Sequence, residues 1–228
     1  MRVFLIVLAA VALSAIAPAA AQNRDQKWCS DTWQQGEFDI STVKQITLMR
    51  AAEAPKTYFL ERNGYKAGCP QKGIACRKAY VLPGQEVLVV GETGSDYLCA
   101  VFPNKDGDTQ GWISRTALAT LAAQPRQPQP LQAWGGTWNL HEGNFITIKI
   151  VGEILAGYGL GLWHENDGEF SAKAKPQNDR VVFDDRTQSD DCKVSARLFG
   201  DYLLVSDNHH CGGLNVRFFG IYRRAKPH

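Results

Sequence analysis

FITIKIVGEILAGYGLGLW, residues 145–163, decides the fold. Ile146, Ile148 and Ile150 fall on one side of an extended chain and Thr147 and Lys149 on the other, the period of two expected of a half-buried strand. Gly152-Glu153 is a tight link, and beyond it Gly157, Gly159 and Gly161 alternate with Tyr158, Leu160 and Leu162. In a strand, such a glycine row means a smooth, closely packed face or a bend where a barrel closes. A phosphate loop would need a following helix, and none is indicated. The stretch therefore predicts two antiparallel strands of an all-β domain.

The same period runs on toward the C-terminus. Cys192, Val194, Ala196 and Leu198 alternate with Lys193, Ser195 and Arg197, and Leu214, Val216 and Phe218 alternate with Asn215 and Arg217. Eight strands are predicted, at Gly136–Leu140, Phe145–Val151, Ile154–Trp163, Glu169–Lys175, Arg180–Asp184, Cys192–Phe199, Tyr202–Val205 and Leu214–Arg223. Sequential hairpins of this kind close into an up-and-down antiparallel barrel. Trp138, Phe145, Trp163, Phe170, Phe183, Phe218 and Tyr222 are bulky enough to fill so short a barrel, so the expected lumen is packed, without a ligand cavity.

Upstream, short β-prone runs at Gln45–Met49, Thr57–Leu60, Ala79–Leu82, Glu86–Val90, Tyr97–Phe102 and Gly111–Ile113 are separated by turn residues at Asn63-Gly64, Pro83-Gly84 and Asn104–Asp108. This spacing predicts a second small barrel or sandwich. Between the two units, residues 122–133 carry three prolines and four glutamines, the composition of an extended spacer. The expected organisation is residues 1–21 as a signal peptide, 22–121 as the first domain with a disulfide-tied arm, 122–133 as linker and 134–228 as the second barrel.

Gly111-Trp112-Ile113-Ser114-Arg115-Thr116-Ala117-Leu118 resembles the closing strand and short 3₁₀ turn of bacterial SH3-like domains, and Pro83-Gly84-Gln85-Glu86-Val87 is similar to the turn before their first long hairpin. The resemblance covers about a third of the chain and implies a binding module. Where eukaryotic SH3 domains place the proline and tyrosine of their groove, this chain has Ser114 and Ala117, so PxxP recognition is not implied. Tyr80, Tyr97 and Trp112 would supply the aromatic binding surface. The Gly136-Thr137-Trp138 opening looks like the first-strand motif of lipocalins, which implies a late-strand arginine over the tryptophan, a role for Arg217 or Arg223. In size the unit is closer to the secreted β-barrel inhibitors of lysozyme.

Arg2, an apolar stretch from Val3 to Ile16 and Ala19-Ala20-Ala21 predict an export signal cleaved before Gln22, too short to serve as a membrane span. A periplasmic or secreted location follows. The 25 Lys and Arg against 23 Asp and Glu are spread without a basic run, which argues against a nucleic-acid partner. Six cysteines in an exported chain predict three disulfides: Cys192–Cys211, with Cys29–Cys99 and Cys69–Cys76 chosen from three pairings among the first four.

No GxSxG, HExxH, P-loop or Rossmann fingerprint occurs, and a non-enzymatic protein without cofactor or metal is expected. His209-His210, in the loop from Asp207 to Gly213, is the densest histidine cluster; a loop stapled by Cys211 is the reading preferred to a metal or hydrolytic site. Asp184-Asp185 and Asp190-Asp191 are read as a solvated acidic turn rather than a calcium site. Two functions are expected. One is binding of a cell-wall fragment or periplasmic protein through the SH3-like surface. The other is inhibition of lysozyme-type hydrolases by the 206–213 loop, with Asp207, His209 and His210 as contacts.

Overall fold

The computed structural model describes residues 45–52, 56–59, 79–92, 97–104, 107–125, 127–141, 143–186 and 191–226. The expected export signal, Cys29, Cys69, Cys76 and the expected Asn63-Gly64 turn lie outside the described residues. Within them the protein is all-β. β1 (Gln45–Ala51), β2 (Thr57–Tyr58), β3 (Tyr80–Val81), β4 (Glu86–Glu92), β5 (Tyr97–Asn104), β6 (Gly107–Ser114) and β7 (Leu118–Pro125) come first. They are followed by β8 (Gly136–His141), β9 (Asn144–Val151), β10 (Ile154–Trp163), β11 (Asn166–Ala174), β12 (Arg180–Asp185), β13 (Cys192–Phe199), β14 (Tyr202–Asp207) and β15 (Gly220–Arg224).

The first unit is a five-stranded antiparallel sheet in the order β6-β5-β4-β1-β7, with β2 and β3 paired beside it. Arg115–Ala117 forms the 3₁₀ turn between β6 and β7. β7 extends into the proline-glutamine stretch, pairing Ala122 with Leu48 and Pro125 with Gln45. Proline is tolerated there because it ends the strand, where a missing N–H costs little. The spacer is therefore shorter than its composition suggests.

The second unit orders its strands β11-β10-β9-β8-β15-β14-β13-β12, each beside its sequence neighbour, with β15 returning to β8. This is an up-and-down barrel, nearly closed: only between β11 and β12 is the ladder missing. The Asp185 carboxylate, 2 % exposed, bridges that seam by accepting the Ser171 N–H at 2.7 Å. Asp185 is thus a structural group, not part of a solvated acidic turn. Asp184 faces outward and pairs with the exposed Arg186, and Asp190 lies outside the described residues.

Trp134, Trp138, Phe170, Phe183, Phe218 and Tyr222 are all fully buried in one core. The β10 glycines make room for them. A Cβ on Gly157 would stand 2.7 Å from Phe183, and one on Gly159 would stand 2.3 Å from Phe170 and 2.8 Å from Phe218. Two expected core rings lie elsewhere: Phe145 is out of phase with the inward Ile146, and Trp163, 49 % exposed, stands at the strand's end against His164. Trp134, ahead of the first strand, is inside instead.

The last strand begins at Gly220, not Leu214. It pairs with β8 through Arg223–Asn139 and Arg224–Trp138, and the Ala225 N–H just beyond it donates to the Thr137 carbonyl at 2.8 Å. Closure is completed by Arg224. Its guanidinium stacks 4.0 Å from the centre of the Trp138 ring and donates to the Gly135 carbonyl at 2.7 Å, the Ala133 carbonyl at 2.6 Å and the Asp201 carboxylate at 3.2 Å. The arginine over the tryptophan is thus Arg224; neither Arg217 nor Arg223 takes that place. Arg217 is committed to Asp207, and Arg223 points outward from the adjacent position.

The two units share a core. On one face of the five-stranded sheet Met49, Val87, Val89, Leu98, Ala100 and Ile113 pack with Phe59, Val81 and Leu118. On the other, Ile46, Leu88, Cys99, Val101 and Trp112 pack against Phe199, Leu204 and Ile221 on the outer wall of the barrel. At the edge of this contact the Asp108 carboxylate accepts the Ile221 N–H at 3.2 Å. Burial raises its pKa from 3.8 to about 7, against the lowering effects of the Ile221 hydrogen bond and the Arg223 charge. The folded state then holds this proton more tightly than the unfolded chain. Its contribution to stability is fully present below about pH 4 and is lost as pH rises through about 7. Asp108→Asn should match the wild type near about pH 4 and exceed it by roughly 2–4 kcal/mol near about pH 9, read as the difference between denaturant unfolding curves.

Candidate functional site

Asp207 ends β14, and from there the chain leaves the sheet and crosses the barrel's end before β15. Adjacent polar side chains of short reach are suited to bonding the backbone of a turn, and Asp207-Asn208 does so twice. The Asp207 carboxylate is fully buried. One oxygen accepts the His209 N–H at 2.8 Å and the Arg217 Nε–H at 2.9 Å; the other accepts the Phe218 N–H at 2.6 Å. Asn208 links the loop to β13 by accepting the Lys193 N–H at 3.0 Å and donating to the Asp191 carbonyl at 2.8 Å.

Cys192–Cys211 closes a chain segment of 19 residues' separation, with both cysteines buried. Its constraint on the unfolded chain is worth roughly 3 kcal/mol. On the far side the loop backbone rests directly on β11: a Cβ on Gly168 would stand 2.2 Å from the Cys211 carbonyl oxygen and 2.6 Å from the Gly212 Cα. The Gly213 N–H donates to the Asp167 carbonyl at 3.1 Å, and the Val216 N–H to that of Gly213 at 3.0 Å. The loop is thereby tied to the barrel at Asp207, Asn208, Cys211, Gly213 and Phe218.

The His209, His210, Leu214 and Asn215 side chains are exposed. His209 is held at φ +66°, and Leu214 is the most exposed large apolar residue among the described residues, at 76 %. Arg217 Nη1 lies 2.6 Å from His209 Nδ1. Since a guanidinium has no acceptor, Nδ1 accepts and the neutral ring's proton is on Nε2. The loop therefore offers donors and one apolar side chain on a frame anchored by Asp207, Asn208 and the Cys192–Cys211 bond.

The expected site residues separate on inspection. His209 and His210 are at the surface of the loop, while Asp207 is its buried anchor and contacts no external partner. Trp112, expected at a binding surface, is 3 % exposed and spent on the core shared by the two units. Tyr80 is 40 % exposed, edge-on to Tyr58 at 5.8 Å, with the Lys56 ammonium 4.1 Å from its ring centre. Tyr97 lies in β5 opposite Ser114, and its side chain is outside the described residues. His164 and Glu165 sit on an exposed hairpin turn. Among the described residues no three His, Cys, Asp or Glu side chains gather as a metal site. Arg217 and Asn208 escaped sequence reasoning as loop struts; the Asp-Asn pair at the strand's end was the signal for them.

Cys99 is disulfide-bonded; the pairings expected for it with Cys29, and for Cys69 with Cys76, fall outside the described residues. The Cys192–Cys211 bond fits an oxidising compartment. Among the described residues no helix is long and apolar enough to cross a membrane. The chain matches no family model, no curated protein and no solved structure.

Asp207→Ala should cost roughly 2–4 kcal/mol in denaturant unfolding, because three donors lose a buried ionic acceptor. His210→Ala, at an exposed side chain, should stay within about 0.5 kcal/mol of the wild type.

Proposed function

We propose that this chain is a non-catalytic exported binding protein, periplasmic or secreted, that uses its 207–214 loop to enter the cleft of a lysozyme-type hydrolase. The observation that carries this reading is the anchoring of the loop by the buried Asp207 carboxylate, Asn208 and the Cys192–Cys211 bond, with the His209, His210 and Leu214 side chains exposed. A loop already fixed in its bound shape loses little conformational entropy on association, the usual cost of loop recognition. Glycoside hydrolases of this type work with a pair of carboxyl groups in a cleft. The His209 and His210 imidazoles, with the Arg217 guanidinium behind them, are complementary to such a pair, and Leu214 supplies an apolar anchor beside them.

A second reading rests on a separate surface. Tyr58 and Tyr80 with Lys56 form an exposed aromatic-cationic patch on the SH3-like unit, and a cell-wall fragment would stack there. This moves the expected binding surface away from Trp112, whose ring is covered by the barrel.

Titrating mature protein into c-type, g-type and i-type lysozymes tests the leading reading. Turnover of at least one class should fall, and His209→Ala with Leu214→Ala should weaken that inhibition by about tenfold or more. Unchanged turnover for all three classes would overturn it. Retention of the wild-type protein on purified cell wall, lost in Tyr80→Ala, would favour the second reading in its place.

A further inference from the structure

Beside the C-terminal tail a groove of about 650 Å³ opens between the two units, lined by Asn104 of the first and by Asn139, His141, Asn144, Phe145 and the tail residues Arg223 and Lys226 of the second. It lies apart from the 207–214 loop, sharing no residue with it. A second groove on the tail's other side shares Arg223, Arg224 and Lys226 with the first and adds Glu86 and Asp201 to its lining, where Glu86 pairs with Arg50 at 2.9 Å and Asp201 with Arg224 at 3.2 Å.

No carboxylate is among the first groove's described lining residues, while Arg223 and Lys226 bring two cations that form no ion pair among the described residues. Arg223 is exposed on the rim between the two grooves, its guanidinium carbon 6.0 Å from the centre of the Phe102 ring, which lines the second, and Lys226 is exposed as well. The Asp108 carboxylate, whose charge Arg223 senses, is held by the Ile221 N–H and is not part of the groove lining.

The remaining groups are neutral and directional. Asn139 is exposed, with a full amide available. Asn144 is nine-tenths buried or more, its oxygen accepting the Leu162 N–H at 2.8 Å and its nitrogen lying 3.0 Å from His141 Nδ1. That contact fixes the His141 ring at the groove wall. Phe145 is half-buried, 6.0 Å from Tyr158, and presents an aromatic edge on the same wall. Amides and an imidazole match hydroxyl and acetamido groups, an aromatic ring matches the C–H face of a pyranose, and paired cations match a carboxylate.

We infer that this groove binds an anionic sugar, a pyranose carrying a carboxylate, with Arg223 and Lys226 on the acid and Asn139, His141 and Phe145 on the ring. The choice of an envelope-type sugar rests on the exported reading above, whereas the charge pattern does not depend on it. Arg223 and Lys226 set charge specificity. Their side chains take no part in barrel closure, which falls to Arg224.

Calorimetric titration of the mature full-length protein with N-acetylmuramic acid, N-acetylglucosamine and inorganic phosphate tests the inference. The acidic sugar should bind at least about tenfold tighter than the neutral one and than phosphate, and the Arg223→Gln, Lys226→Gln double variant should lose about tenfold or more for the acidic sugar, with an unchanged melting temperature. Lys226→Gln alone, at the tail, serves as the variant least able to disturb folding and should lose part of the affinity. No heat with the acidic sugar, equal affinity for the two sugars, phosphate binding as tight as the acidic sugar, or full affinity in the double variant would each overturn the inference. Failure here is distinguishable from failure of the hydrolase reading: the groove variants should leave lysozyme inhibition intact, and His209→Ala should leave sugar binding intact.

Discussion

Barrel closure through Arg224 governs the C-terminal half of the molecule. Eight strands drawn from under a hundred residues leave the last one five residues long, meeting the first at two positions. A ladder so short supplies little cohesion by itself. The Arg224 guanidinium supplies more, stacking on Trp138 and bonding two carbonyls ahead of β8 and a carboxylate beside β14. With closure delegated to a side chain, Asn208–Phe219 is released from the sheet and lies across the barrel's end. The same economy thus creates the exposed loop and the need to hold it, which Asp207, Asn208 and Cys192–Cys211 meet.

The second constraint is that the five-stranded sheet is apolar on both faces. Its inner face is closed by its own unit; its outer face is closed by Phe199, Leu204 and Ile221 of the barrel. Strands buried on both sides lose the apolar-polar alternation. Consequently the surface around Trp112 is unavailable to a partner, and the exposed features that the proposals draw on lie at the periphery: the loop, the Tyr58–Tyr80 patch and the groove beside the tail.

Much of this was legible in the residues. The period of two in Ile146–Ile150 and Cys192–Leu198 located strands to within a few residues because Ile146, Ile148, Val194 and Ala196 face the lumen, although Ile150 is exposed at the strand's end and Arg197, on the outer face, is fully buried against Asp179. The glycine row of β10 was readable as close packing, and its partners are the lumen rings. Leu214–Phe218 misled: its alternation reflects Val216 and Phe218 plugging the barrel's end from a loop, a placement set by the Asp207 carboxylate rather than by a ladder. Trp112 was ambiguous since a tryptophan serves core and interface alike, although the unbroken Val87-Leu88-Val89 run carried the sign of two buried faces. Arg224 was overlooked for Arg217 and Arg223, three arginines within eight residues, because strand length alone could not say which one reaches Trp138.

The central claim is that the 207–218 segment is rigid although it belongs to no sheet. Native-state hydrogen exchange at the Phe218 and Val216 amides tests it most directly, since their acceptors are the Asp207 carboxylate and the Gly213 carbonyl. The account predicts protection of both comparable with the core amides of β13 while the Cys192–Cys211 bond is intact. Exchange of both at the rate of an unstructured chain, with β13 still protected, would contradict it.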